Sequence, residues 1–296
     1  MKIAVIQQYA PVAYNRNLEL PGLSELKGQS EKSIDRCLQL IDEAAAEGAE
    51  LCVTVETVNA YLALGDTRFE YDEPIDGNVV KRFSESARRN GIYIVAGLAL
   101  SIDSSPYNCA VLFDDRGEIV GIHKKVHLPA GEELHYRHGD KFEVFETAIG
   151  RIGMLVCWDM QFPEAARELA LGGADLIACP TYGWENIYGL SRAYENSVYI
   201  AAGMCTYKRG LWPENDSSCI VDNMGKILAV CERDSEGIAI AEVDISCEPQ
   251  PQYGSSEYYP SHSMRKTRFS QRRPGTYRLA GLDNSDVPLY KRYFED

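Results

Sequence analysis

Arg151-Ile152-Gly153-Met154-Leu155-Val156-Cys157-Trp158-Asp159-Met160-Gln161-Phe162-Pro163-Glu164-Ala165-Ala166-Arg167 passes from an apolar strand into a helix within one short turn. The run up to Val156 is too short and too β-branched for a helix, and Pro163 suits the first helical position, where its missing N–H costs nothing. The helix runs from Pro163 to Leu171 and is closed by Gly172-Gly173. Ala174 to Cys179 is then the next strand. A strand, a helix and another strand thus follow one another, an alternation typical of α/β layering.

The same alternation extends in both directions. Upstream, Lys2 to Gln7 reads as a strand. Ile34, Cys37, Leu38, Ile41 and Ala45 keep helical spacing, with Gly48 as the stop. Leu51 to Val55 is a buried strand ending at Glu56, Val79 to Asn90 a helix stopped by Gly91, and Ile92 to Leu98 a strand. Asn108 to Phe113, the turn Asp114-Asp115-Arg116-Gly117 and Glu118 to His123 form a hairpin. Phe142 to Phe145 is one more strand. Downstream come a helix at Gly189 to Ser197, a strand at Val198 to Met204, and a second hairpin from Ser218 to Cys231 around Asp222-Asn223-Met224-Gly225. A last strand runs from Glu236 to Val243. Two halves thus repeat one order, which a four-layer α-β-β-α sandwich satisfies. Residues 1–247 are expected to form one domain. The tail 248–296 carries Tyr253, Tyr258, Tyr259, Phe269, Tyr277, Tyr290, Tyr293 and Phe294 with little periodicity. It is expected to be an arm that packs on that domain or on a partner subunit, not a disordered segment.

Composition excludes several classes. Of 296 residues, 45% are hydrophobic and 25% charged, an ordinary globular balance. The net charge of −14 repels phosphate backbones, so no nucleic-acid partner is expected. The nine cysteines are scattered and form no Cys-x-x-Cys pair, which points to a reducing compartment. The apolar start stops at Gln7-Gln8, too short for a secretion signal, and no run reaches the roughly 18 apolar residues of a membrane span. A cytoplasmic location is expected, with no membrane partner.

Three residues stand where chemistry is available. Cys157 sits at the apex of the strand-to-helix turn, where backbone N–H groups favour a thiolate and a neighbouring oxyanion. Its bland alternative is a buried structural cysteine. Glu56 ends a buried strand, where partial desolvation raises a carboxylate toward the range of a general base, unless it is a solvated strand end. Lys125, in His123-Lys124-Lys125-Val126-His127-Leu128, would supply a cation for an oxyanion, unless it is a solvated sheet edge.

Together these elements resemble the nitrilase superfamily of carbon–nitrogen hydrolases. The likeness runs from Met1 to about Val243 and is carried by Gly153 to Asp159 with Phe162-Pro163-Glu164-Ala165-Ala166-Arg167. Lys125-Val126-His127-Leu128, Ala193-Tyr194-Glu195-Asn196 and Glu73-Pro74-Ile75-Asp76-Gly77 add to it. The resemblance implies Glu56 as base, Lys125 as the oxyanion-side cation and Cys157 as nucleophile, acting through a thioester on an amide-type bond. It also implies a further glutamate in the loop after the lysine. Glu132 and Glu133 compete for that place, and the spacing to Gly139 favours Glu132. No metal or organic cofactor is implied, and a homodimer or higher homo-oligomer is expected. The chain departs from the family in places: Val55 replaces its usual Pro, and the link from Gln8 to Gly28 is longer than usual.

Cys157 to Arg167 looks most like the N-carbamoylputrescine amidase branch, which also has Trp after its cysteine. Many superfamily members carry Arg where this chain has Gln161, which removes one clamp for a substrate carboxylate. Trp158, Gln161, Tyr182, Trp184 and Tyr61 are candidate pocket residues, and a linear amide or N-carbamoyl amine is the expected substrate. A nitrile or a dicarboxylic monoamide, as taken by an ω-amidase, remains open. Three other readings compete. One is a zinc site on His123, His127, His135 and His138 with the nearby glutamates. The second is an RNA contact at Arg265-Lys266-Thr267-Arg268 and Arg272-Arg273. The third is an inactive relative that only binds its ligand.

Overall fold

Strand β1 (Lys2–Tyr9) buries both of its faces, as a central strand flanked by layers on each side must. Its side chains alternate between two cores. Ala4 and Ile6 join a cluster with Ile34, Cys37, Leu40 and Ile41 of helix α1 (Leu23–Ala46). Ile3 and Val5 enter a second cluster that holds residues of both halves of the chain. The computed structural model describes residues 1–10, 22–60, 73–183, 185–206, 216–247, 249, 263–278, 280, 281, 283 and 286–288.

In the first half, β1, β2 (Leu51–Val53) and β3 (Tyr93–Ile102) pair in parallel. The hairpin β4 (Ser105–Phe113) and β5 (Ile119–Lys124) extends this sheet antiparallel. Helix α2 (Asn78–Asn90) packs beside α1 and ends at Gly91, whose φ of 64° provides the left-handed cap. The second half repeats the order. It comprises β6 (Val144–Thr147), β7 (Gly150–Met154), α3 (Pro163–Leu171), β8 (Leu176–Thr181), α4 (Asn186–Asn196) and β9 (Tyr199–Thr206). The hairpin β10 (Cys219–Val221) and β11 (Ile227–Val230) follows. The strand β12 (Gly237–Glu242) then returns to pair antiparallel with β1. At its far end β1 also pairs with β9, so both halves belong to one continuous, strongly folded-over sheet.

Ile152, Met154, Val156, Leu176, Ala178 and Ala201 from the second half meet Val53, Val95, Ala110 and Leu112 from the first in the inter-sheet core. Helices α1 and α2 cover the outer face of one half; α3 and α4 follow β7 and β8 in the other. The four-layer α-β-β-α arrangement expected from the sequence is the one observed.

Several boundaries differ from the sequence reading by a few residues, and two of the differences alter the course of the chain. Helix α1 begins at Leu23 rather than near Ile34, so the end of the long Gln8–Gly28 link is helix. Between β7 and α3 the chain forms a 3-10 turn, Cys157–Gln161, before Pro163 opens the helix. Met1–Cys247 forms one compact unit and Glu248–Asp296 another. The second unit contains α5 (Met264–Ser270), capped by Ser263, whose Oγ accepts from the Lys266 backbone N–H at 3.1 Å.

Candidate active site

Glu56 reaches the site on the short segment after β2, which runs against β3. Thr54 Oγ1 accepts from the Gly97 N–H at 3.0 Å, and the Val58 N–H donates to Gly97 O at 2.9 Å, so residues 54–58 are pinned to β3. A Cβ at Gly97 would meet Pro180 at 2.7 Å and the Glu56 Cα at 2.8 Å, as well as the Val55 carbonyl. Only glycine lets this backbone pass so close to the opposing sheet.

Lys125 directly follows β5, and its backbone N–H donates to Asn108 O at 2.8 Å. The loop beyond it returns at once. The Gly139 N–H donates to Lys125 O at 2.8 Å, and a Cβ at Gly139 would strike the Lys124 carbonyl. This tight closure lays a 3-10 turn, Glu132–Leu134, over the lysine. Glu132 is buried inside it and Glu133 is exposed, so the structure brings Glu132 into the cluster.

Four side chains form a closed ring of hydrogen bonds. Lys125 Nζ donates to Glu56 Oε1 at 2.8 Å and to Glu132 Oε2 at 2.7 Å. Asn108 Nδ2 donates to Glu56 Oε1 and to Glu132 Oε1, both at 2.7 Å. All four residues are buried, Lys125 to 1% exposure. Burial acts to lower the Lys125 pKa, but the charges of Glu56, Cys157 and Glu132 outweigh it and hold the ammonium well above the ordinary range. Burial pushes Glu132 up, against Lys125, with Glu56 adding to the rise. An ammonium has three N–H donors, and the glutamates take two. Glu56 Oε2 and Asn108 Oδ1 have no partner among the described residues.

Cys157 faces this ring. It is half-buried and has a φ of 46°, a left-handed conformation that costs a non-glycine residue about 1–3 kcal/mol and that only the surrounding structure can maintain. Its thiol is pushed up to about 11, first by burial and then by the Glu56 charge; Lys125, Thr181 and the Tyr182 backbone act in the opposite direction.

The bend is held from behind by Asp159, which is fully buried. Its Oδ2 accepts from the Val156 N–H at 3.1 Å and lies 2.9 Å from His123 Nε2. Its Oδ1 accepts from the N–H groups of Val126 (3.2 Å) and His127 (2.9 Å), with His127 Nδ1 also at 2.9 Å. The His127 ring stacks on Phe162 at 3.8 Å. His123 and His127 therefore turn toward a carboxylate that ties the lysine segment to the cysteine turn. His138 Nδ1 lies 2.8 Å from Val126 O. Among the described residues no group of His, Cys, Asp and Glu side chains is placed to hold a metal ion.

The remaining sequence candidates fall differently. Trp158 is 40% exposed beside Cys157, and Tyr182 is half-buried, with its backbone against the cysteine sulfur. The Gln161 carbonyl accepts from Arg192 Nη2 at 3.1 Å. Tyr61 and Trp184 lie outside the described residues. Sequence reasoning missed Asn108, the fourth member of the ring, and Asp159. In each case the available signal was one polar residue opening or following an apolar run, here Asn108-Cys109-Ala110-Val111 and Val156-Cys157-Trp158-Asp159.

With this geometry in place, comparison with known proteins is informative. Residues 2–250 match the carbon–nitrogen hydrolase family. The chain belongs to that family. It is a hydrolase of the nitrilase superfamily, and amidases are among its relatives. Nitrilase homolog 2 of Dictyostelium discoideum is 30% identical over 88% of this chain and 82% of the relative. Omega-amidase NIT2 of Xenopus tropicalis is 30% identical over 72% of this chain and 83% of the relative. The fold matches that of an amidase from Nesterenkonia sp. AN1 with a TM-score of 0.73, at 21% identity, over 94% of this chain and 98% of the other. Among the described residues no helix is long and apolar enough to cross a membrane.

Proposed function

We propose that this enzyme hydrolyses a linear amide or N-carbamoyl amine, with Cys157 as nucleophile, Glu56 as general base, Lys125 as oxyanion stabiliser and Glu132 orienting the water. The observation that carries this reading is Lys125 Nζ bound at once to Glu56 (2.8 Å) and Glu132 (2.7 Å), beside a cysteine held at positive φ. Glu56 Oε2 takes the thiol proton as the sulfur attacks the carbonyl carbon. The third N–H of Lys125 and the Trp158 backbone N–H receive the oxyanion. The C–N bond breaks as Glu56 returns the proton to the departing nitrogen, leaving a thioester. Water, deprotonated by Glu56, attacks the thioester, and the thiolate is reprotonated as the carboxylic acid leaves.

Thiolate formation is matched to this sequence of steps. Burial and the Glu56 charge favour the protonated thiol at rest, so a base beside the sulfur is needed to take its proton as it attacks. Burying two carboxylates around one ammonium carries a desolvation cost that stability alone does not call for, which argues for a purpose-built site over a structural ion pair.

For the substrate, the likeness of Cys157–Arg167 to the N-carbamoylputrescine branch and the acidic composition favour a neutral or cationic N-carbamoyl amine. The omega-amidase relative favours the monoamide of a dicarboxylic acid about equally. Ammonia release measured over N-carbamoyl amines, N-carbamoyl amino acids, aliphatic amides, dicarboxylic monoamides and nitriles separates these. Preference for N-carbamoyl amino acids would refute the reading of Gln161. The tail beyond Cys247 is proposed to pack on the main domain or a second subunit in a cytoplasmic homo-oligomer. Unchanged oligomer size and stability after deletion of 250–296 would count against that.

A further inference from the structure

Asn108 is the one member of the buried ring to which the proposed reaction gives no task. It sits near the middle of β4, opposite Ala99, with the same parity as Ala110 and Leu112, which face the inter-sheet core. A leucine or alanine would be the ordinary choice there. Instead the position holds an amide 1% exposed, whose two N–H donors go to two different carboxylates and whose oxygen has no partner among the described residues. Nothing in the strand needs that amide; only the carboxylates do.

The arithmetic of charge gives the reason. Glu56 and Glu132 share one cation, Lys125, in a space that excludes water. One ammonium cannot neutralise two carboxylates, and a second cation would quench the base. A neutral group with two donors solves this, because it stabilises both anions without pairing off either charge.

We propose that Asn108 is a positioning residue that fixes Glu56 and Glu132 relative to each other and favours the carboxylate form of Glu132. The inference rests on the roles proposed above for Glu56, Glu132 and Cys157. The titratable groups facing the pair are Lys125 from the end of β5, Cys157 from the turn after β7, Cys179 from β8 and Cys205 from β9. Asn108 adds hydrogen bonding from β4, and its donation lowers Glu132 against the upward pull of burial.

The test follows the carboxylates directly. pH-difference infrared spectra report the carboxylic-acid carbonyl band of a buried glutamic acid, and the Glu132→Gln variant identifies the band that belongs to Glu132. Relative to wild type, Asn108→Leu is expected to raise the protonation midpoint of Glu132 by about one unit or more, because the hydrogen bond that Asn108 donates to it is lost. Asn108→Asp, nearly isosteric, is expected to raise it further by adding a third acid. Asn108→Ser, which keeps one donor, falls between wild type and leucine, and serves if the leucine variant does not fold.

A packing role predicts the opposite order, with Asp closest to wild type. That order, or midpoints unmoved in all variants, overturns the proposal. Ammonia release from glutaramate, propionamide and N-carbamoylputrescine is measured alongside. If Cys157→Ala keeps that turnover, the nucleophile assignment fails whatever the infrared order, so the two claims are judged separately.

Discussion

His127 meets a single oxygen of Asp159 twice: its backbone N–H and its ring Nδ1 both lie 2.9 Å from Oδ1. The other oxygen of the same carboxylate binds the N–H of Val156, the residue before Cys157. One buried side chain therefore sets the relative position of the lysine segment and the cysteine turn. Replacing it by Asn puts an N–H₂ group among N–H donors and leaves the fold otherwise unchanged. Asp159→Asn is expected to cost about 3 kcal/mol of stability, read as a lower urea midpoint, and to depress turnover more than substrate binding.

The pH dependence of that cost has a definite sign. Burial acts to raise the Asp159 pKa, but hydrogen bonds from His123 and His127 outweigh it and hold the carboxyl well below the usual range. A folded-state pKa below the unfolded value contributes stability that is present above about pH 3.9 and is lost as pH falls below it. The stability gap between wild type and Asp159→Asn is thus expected to be full at pH 6–7 and to shrink from about pH 4 downward. Urea titrations at four pH values measure it, and Glu132, which contributes with the opposite sign, is common to both proteins.

Glu56 and Cys157 are expected to part company in one variant. The Glu56 charge, after burial, raises the Cys157 thiol. Removing it in Glu56→Gln lowers that pKa, so at pH 9 iodoacetamide alkylates Cys157 faster than in wild type. Turnover of amide, which needs the base, falls by about a hundredfold or more. Slower alkylation together with lost turnover would mean that Glu56 activates the thiol as a base more than its charge represses the thiolate.

Gly97→Ala tests the passage that delivers Glu56. The new methyl would press on Pro180 and on the Glu56 backbone. Overpacking of this kind costs about 1–3 kcal/mol, and here the shift falls on the carboxylate proposed as the base. Activity is expected to drop by a larger factor than the thermal midpoint suggests, with Cys157 alkylation intact.

How much of this was legible in the sequence depends on the range of the interaction. The elements were readable because burial imposes local periods: Pro163 to Leu171 matched residue for residue, and Gly91 marked the end of α2 by its left-handed cap. The beginning of α1 was not, since Leu23 to Gly28 has few apolar residues and helix there is set by packing along the rest of its length. Glu56, Lys125 and Cys157 stood out at strand ends. Asn108 did not, because its meaning comes from Glu132, which only the closure of the loop at Gly139 carries back over the lysine. Spacing alone does not assign a role: His123 and His127, which have metal-ligand separation, both turn to Asp159.

The central claim is that Cys157 carries the acyl group. Intact-protein mass spectrometry, after rapid mixing with glutaramate, propionamide or N-carbamoylputrescine and quenching in acid, tests it most directly. The account predicts an adduct of the acyl or carbamoyl mass, mapped to Cys157 by digestion, absent in Cys157→Ala and accumulating in Glu132→Gln, where the water is no longer oriented. Turnover of a substrate by Cys157→Ala, or an adduct on any other residue, would contradict it.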